Sequence, residues 1–69
     1  MYHIWSYEHN AWWGIASRGY VDTVSKAGKY SFQEAADIVI PHIPPGEEVA
    51  VLEAYAPRWQ DEQSRRTIG

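Results

Sequence analysis

The stretch Tyr2-His3-Ile4-Trp5-Ser6-Tyr7-Glu8-His9-Asn10-Ala11-Trp12-Trp13-Gly14-Ile15-Ala16 decides the fold of this chain, and it holds three of the four tryptophans. Aromatic and β-branched residues favour strands, so two such runs around a polar pair predict a β-hairpin. His9-Asn10 is that pair, and Asn10 tolerates the left-handed backbone that tight turns need. With His9-Asn10 as the loop, Glu8 faces Ala11, Tyr7 faces Trp12, Ser6 faces Trp13, Trp5 faces Gly14 and Ile4 faces Ile15. Side chains alternate between faces. One face then carries Ile4, Ser6, Trp13 and Ile15, and the other carries His3, Trp5, Tyr7, Trp12 and Ala16. Both faces are apolar or aromatic. A one-residue slip would exchange them without removing the aromatics from either. One helix layer can cover a single face, so the second face needs a cover of its own.

Outward from the hairpin, Gly19 marks a turn and Tyr20-Val21 reads as a brief extended piece. Asp22 or Thr23 can cap one helical turn through Val24-Ser25-Lys26-Ala27, closed by Gly28. Ser31-Phe32-Gln33-Glu34 is a capping box. Behind it Phe32, Ala35, Ala36, Val39 and Ile40 share one stripe at helical spacing, with Ile38 off it. Pro41 ends this helix, because it has no amide proton and disfavours helix at the preceding residue. Pro41-His42-Ile43-Pro44-Pro45-Gly46 reads as a stiff connection ending in a turn. Glu47 to Tyr55 reads as a strand whose apolar middle suits burial on both sides. Pro57 stops it. Residues 1–57 form one compact domain in this reading. Residues 58–69 form a polar tail, a short helix or disordered, which Trp59 fastens to the body. The expected class is α+β: a β-β-α-β unit, with a three-stranded, mainly antiparallel sheet packed on one helix.

Sixty-nine residues allow only a small core, and chains of this size bury about 60% of their unfolded surface. The usual aids are disulfides, metals or oligomerisation. There is no cysteine, so disulfides and thiolate metal sites are excluded, which is compatible with a reducing, cytoplasmic location. A net charge of -3 argues against nucleic acid as the main partner. No apolar run is long enough to span a bilayer, and Met1-Tyr2-His3-Ile4 has no signal-peptide character. His3, His9 and His42 lack metal-ligand spacing. Glu47-Glu48 and Asp61-Glu62 read as solvated charge, and Ser31 is explained by capping. No residue is assigned a catalytic role and no cofactor is expected.

Several short pieces carry a resemblance: Ile4-Trp5-Ser6, Glu8-His9-Asn10-Ala11-Trp12-Trp13, Gly19-Tyr20 and Ala27-Gly28-Lys29-Tyr30-Ser31 with Glu34-Ala35. Together they resemble a family of very small bacteriophage and prophage proteins, over about the first two thirds of the chain. Gly14-Ile15-Ala16-Ser17 departs from the pattern, which would have a Pro-Asn-containing loop there. The resemblance implies a phage accessory protein of the host cytoplasm that acts by binding something in the host, such as a component of a defence system.

The residues themselves point to binding rather than catalysis. Trp and Tyr dominate binding hot spots. The expected contact surface is Trp5, Tyr7 and Trp12, with Trp13 and Tyr20 beside it, facing a host protein or a second copy in a homo-oligomer. The alternative is a nucleotide-like ligand held between subunits, its base stacked on Trp or Tyr and its phosphates met by Arg18, Lys26 and Lys29. Convergence of those basic residues onto the rings would separate the two.

Overall fold

In the computed structural model, residues 1–42 and 47–68 are described. The chain runs β1 (Tyr2–Ser6), β2 (Ala11–Trp13), a 3-10 turn (Ile15–Ser17) and β3 (Tyr20–Val21). A second 3-10 turn (Val24–Lys26), α1 (Phe32–Val39) and a third 3-10 turn (Ile40–His42) follow, then β4 (Glu48–Leu52) and α2 (Ala56–Ile68). The class is α+β, as expected. The sheet, however, has four strands in the order β3-β2-β1-β4, and every pairing is antiparallel. The extended piece at Tyr20-Val21 is the added strand.

The hairpin register differs from the expected one. Trp5 lies opposite Trp12 and Ser6 opposite Ala11, so the loop is Tyr7-Glu8-His9-Asn10 rather than His9-Asn10. Two local features make the longer loop. The Ser6 hydroxyl accepts from the His9 amide at 3.2 Å, and Asn10 takes a left-handed φ of 51°. The register differs by two positions, so each side chain keeps its face. Gly14 leaves the ladder altogether: its amide donates to the Gly19 carbonyl and its carbonyl accepts from the Tyr30 hydroxyl at 2.6 Å.

β1 and β2 are the two interior strands, and in β1 His3, Ile4, Trp5 and Ser6 are all buried. The strand buried on both faces is therefore β1. β4 stands at the edge and ends at Leu52, which is 55% exposed, not at Tyr55.

One face of the sheet packs on α1. Ile4, Tyr30 and Ala35 form that core, with Tyr2, Trp13, Ile38, Val39 and Ala50 against it. The capping box is present, with Glu34 N donating to Ser31 Oγ at 3.1 Å and Ser31 N donating to Glu34 Oε1 at 2.8 Å. The stripe is rotated from its expected position. Ile38 faces the core, while Phe32 and Ile40 are 70% and 61% exposed. Ile38 turns in because the core side of α1 spans the β2 side as well, where Trp13 lies.

The other face packs on α2. Trp5, Trp12, Ala27, Val51 and Ala56 form its core, joined by Val21, Val24, Val49 and Trp59. Of the two readings of the polar tail, a short helix or disorder, the helix is the one found; it starts earlier, at Ala56, runs to Ile68 and lies across the sheet, with Pro57 accommodated in its first turn. Ala56, Trp59, Gln60 and Gln63 share one helical flank. Gln60 Oε1 accepts from both Trp12 Nε1 at 3.0 Å and the Val24 amide at 2.6 Å.

Gly28 closes the structure for a steric reason. A Cβ there would sit 2.5 Å from the Gly14 carbonyl oxygen and 2.9 Å from Ile15 Cα. Its own amide donates to the Trp13 carbonyl at 3.0 Å. The connection expected over Pro41 to Gly46 lies partly outside the described residues, at 43–46. No helix among the described residues is long and apolar enough to cross a membrane.

Candidate functional site

The expected binding residues separate into three groups. Trp12 is fully buried and Trp5 is 5% exposed; their rings meet edge to face at 5.0 Å beneath α2. They are core of the folded monomer, not an open contact face. The physical reason is α2, which supplies the second cover that the hairpin needs. His3 belongs to the same layer. Its ring meets Trp12 edge-on at 5.8 Å, and its Nδ1 lies 2.8 Å from the Gly28 carbonyl. That carbonyl can only accept, so Nδ1 carries the hydrogen.

The second group stays at the surface. Tyr7 and Tyr20 are 46% and 45% exposed. Tyr7 leans edge-on against Trp59 at 6.1 Å. Tyr20 is stacked by the His9 ring at 3.9 Å with 27° between planes, and Trp13 meets Tyr20 edge-on at 6.4 Å. The hairpin loop and β3 create this arrangement. Trp13 and Tyr20 are cross-strand partners, and the left-handed Asn10 turns the loop so that His9 reaches Tyr20. His9 also lies 3.7 Å from the Glu8 carboxylate. The result is a ring platform, His9 over Tyr20 backed by Trp13. His9 was outside the expected set; its nearness to Tyr20 follows from the four-residue loop, which a two-residue loop would not produce.

The third group is basic. Arg18, Lys26 and Lys29 are exposed. Lys29 is committed to Glu53, Nζ to Oε2 at 2.8 Å. That bond, followed by the lysine charge, holds the Glu53 carboxyl below its ordinary range. The platform itself consists of one imidazole and two aromatic rings, with a carboxylate beside it.

Two concavities accompany these groups. A pocket of about 170 Å³ lies between the hairpin loop, β3 and α2, lined by Trp5, Asn10, Asp22, Gln60, Gln63 and Ser64. Its one charged lining residue is the Asp22 carboxylate, and no basic side chain lines it. An open recess of about 310 Å³ is lined by Ala16, Ser17, Tyr30, Glu34, Asp37 and Ile38. Its carboxylates have local duties: Glu34 closes the capping box and Asp37 accepts from Gln33 at 3.0 Å. Among the described residues no group of three or more His, Cys, Asp or Glu could hold a metal ion.

Comparison with family models, curated proteins and solved structures finds no match for this chain.

Proposed function

We propose that this chain is a non-enzymatic accessory binding protein, of the phage type its hairpin motifs resemble, and that it grips a host protein through the platform of His9, Tyr20 and Trp13. The observation that carries this reading is the stacked, exposed His9–Tyr20 pair. Half-exposed rings already fixed in place lose little freedom on binding, which is what makes aromatic anchors effective. Tyr7 on its Trp59 support extends the aromatic area. The interaction surface is therefore the loop end of the hairpin, and Trp5 and Trp12 support it from within.

The nucleotide-sequestering alternative gains no support from this arrangement, since Lys29 is tied to Glu53 and the polar pocket carries an acidic residue.

The test is site-specific photo-crosslinking in host cells from position 20, with position 58 on the exposed side of α2 as control. The partner so identified is then titrated against wild type and Tyr20→Ala. We expect Tyr20→Ala to weaken binding at least tenfold with its circular dichroism unchanged. Equal affinity for both proteins would refute the platform as the contact. Native mass spectrometry of the purified protein adds an independent check. A mass increment of a few hundred daltons per chain would instead support the sequestering alternative.

A further inference from the structure

The pocket between the hairpin loop, β3 and α2 is lined by Trp5, Asn10, Asp22, Gln60, Gln63 and Ser64. The protein itself makes little use of its polar groups. Elsewhere Lys29 pairs with Glu53, Arg65 with Asp61 and Tyr55 with Glu62. In the pocket, no hydrogen bond or ion pair among the described residues engages the side chain of Asn10, Asp22 or Ser64. Gln60 is the contrast within the lining. Its Oε1 is taken by Trp12 Nε1 and the Val24 amide, so it stands as a fixed wall with no acceptor left. Trp5, 5% exposed, adds an aromatic wall.

Size narrows the occupant. The volume is about 170 Å³. A cavity of about 150 Å³ holds one benzene, whereas pockets for drug-sized ligands begin near about 300 Å³. The space suits the head of one side chain and is too small for a nucleotide.

The hydrogen-bond inventory narrows it further. Asp22 offers two carboxylate oxygens, Asn10 a carbonyl oxygen and Ser64 a hydroxyl oxygen. An anion would meet the carboxylate with no basic side chain in the lining to offset it. A guanidinium suits all three acceptors, because it spreads five N–H donors in one plane. It also pairs with a carboxylate through two bonds and stacks on aromatic rings. An ammonium is a strongly hydrated point charge and does neither.

The pocket adjoins the platform. Asn10 follows His9 directly, and Asp22 lies two residues beyond Tyr20, so the Cα atoms of Tyr20 and Asp22 are at most about 7 Å apart. A partner segment lying on His9 and Tyr20 therefore has Asp22 within the reach of one long side chain.

We infer that this pocket receives an arginine side chain of the protein that the platform grips. The guanidinium sits on the Asp22 carboxylate, Asn10 and Ser64 are its further acceptors, and Trp5 is the wall behind it. The inference rests on the platform being a protein-binding surface, and it names the chemistry that the partner must present there.

The probe is acetyl-arginine-amide, titrated into the isotope-labelled full chain and followed by amide NMR shifts. We expect saturable shifts at Asn10, Asp22 and Ser64 with Kd in the millimolar range, as suits one charge pair at an exposed carboxylate. Acetyl-citrulline-amide has nearly the same shape without the charge and should bind at least tenfold more weakly. Acetyl-lysine-amide should bind at least threefold more weakly. Asp22→Asn, a change at an exposed position, should weaken arginine binding at least tenfold while leaving the rest of the spectrum in place. Absence of saturation, equal binding of citrulline or an unchanged Kd in Asp22→Asn would each overturn the pocket. Equal binding of lysine would overturn the guanidinium as the recognised group. Tyr20→Ala should leave this titration unchanged, so the pocket can stand where the platform fails. Conversely, if Asp22→Asn binds the cross-linked partner as tightly as wild type does, the partner's arginine is overturned and the platform is untouched.

Discussion

The two faces of the sheet are covered by helices of opposite character. α1 is an eight-residue helix with a full capping box and a small-residue contact centred on Ala35. α2 has thirteen residues, is polar along most of its length, and carries the layer of largest rings, Trp5, Trp12 and Trp59. The difference teaches that local helix signals and tertiary importance need not coincide. α1 is strongly specified by its own residues. α2 is specified by what it covers, since most helical stability in proteins comes from packing rather than propensity.

This contrast can be broken in graded ways. Trp12→Ala should have the largest effect, about 3–5 kcal/mol, because it empties the centre of the α2 layer. A chain of this size has about 3–10 kcal/mol in all, so much of the protein should unfold; chemical denaturation reads it. A near-native midpoint would mean that the layer is loosely packed and the contrast false. Gln60→Ala should cost about 1–3 kcal/mol, since it leaves both the Trp12 N–H and the Val24 amide without their acceptor. Hydrogen exchange at Val24 should accelerate alongside, whereas exchange in α1 should not; equal acceleration in both helices would show that the two layers open as one.

On the α1 side the effects should be smaller. Ser31→Ala removes the side-chain acceptor for Glu34 N and should cost about 1 kcal/mol, as loss of an N-cap usually does. A loss matching that of Trp12→Ala would reverse the proposed ranking. The smallest effect is a pH dependence. The Ser31 amide, then the Ser31 hydroxyl, hold the Glu34 carboxyl below its ordinary value of 4.5. A carboxyl depressed in the folded state stabilises at pH above that value, and the contribution fades as pH falls through the folded value. The acid limb of the stability curve should therefore be shallower for Glu34→Gln, with little difference near neutral pH. An unchanged acid limb would show that the carboxylate contributes nothing through the box.

Much of this architecture can be read from the residues. The aromatic run marks the hairpin, and the alternation within it assigns each ring to a face. Ser31 and Glu34 mark the start of α1, and Pro41 marks its close. The loop length is less visible, because the deciding contact is the Ser6 hydroxyl on the His9 amide, and serine is too common to signal it. Tyr20-Val21 reads as extended, but its place as a strand of the sheet comes only from its pairing with β2. A short helix is one of the two readings of the tail, but its role as the cover of the second face is hidden, because two of the residues on its inner flank are glutamines. The spacing of Ala56, Trp59, Gln60 and Gln63 is helical, yet hydropathy does not register a polar side chain whose job is to accept two hydrogen bonds.

The candidate surfaces divide along the same line. Tyr7 and Tyr20 were recognisable as binding candidates, being aromatic residues in and beside the hairpin. Trp5 and Trp12 looked equally eligible, and only the cover laid on by α2 removes them. His9 enters because the loop carries it across to Tyr20. By itself, then, the sequence determined the α+β class, the two apolar faces of the hairpin and the capped helix beneath one of them. These follow from side-chain alternation and from hydrogen bonds between residues close along the chain. The tertiary structure alone decided which rings are core and which remain at the surface. Burial depends on what folds over a residue, and here that cover comes from more than forty positions away, where Gln60 meets Trp12.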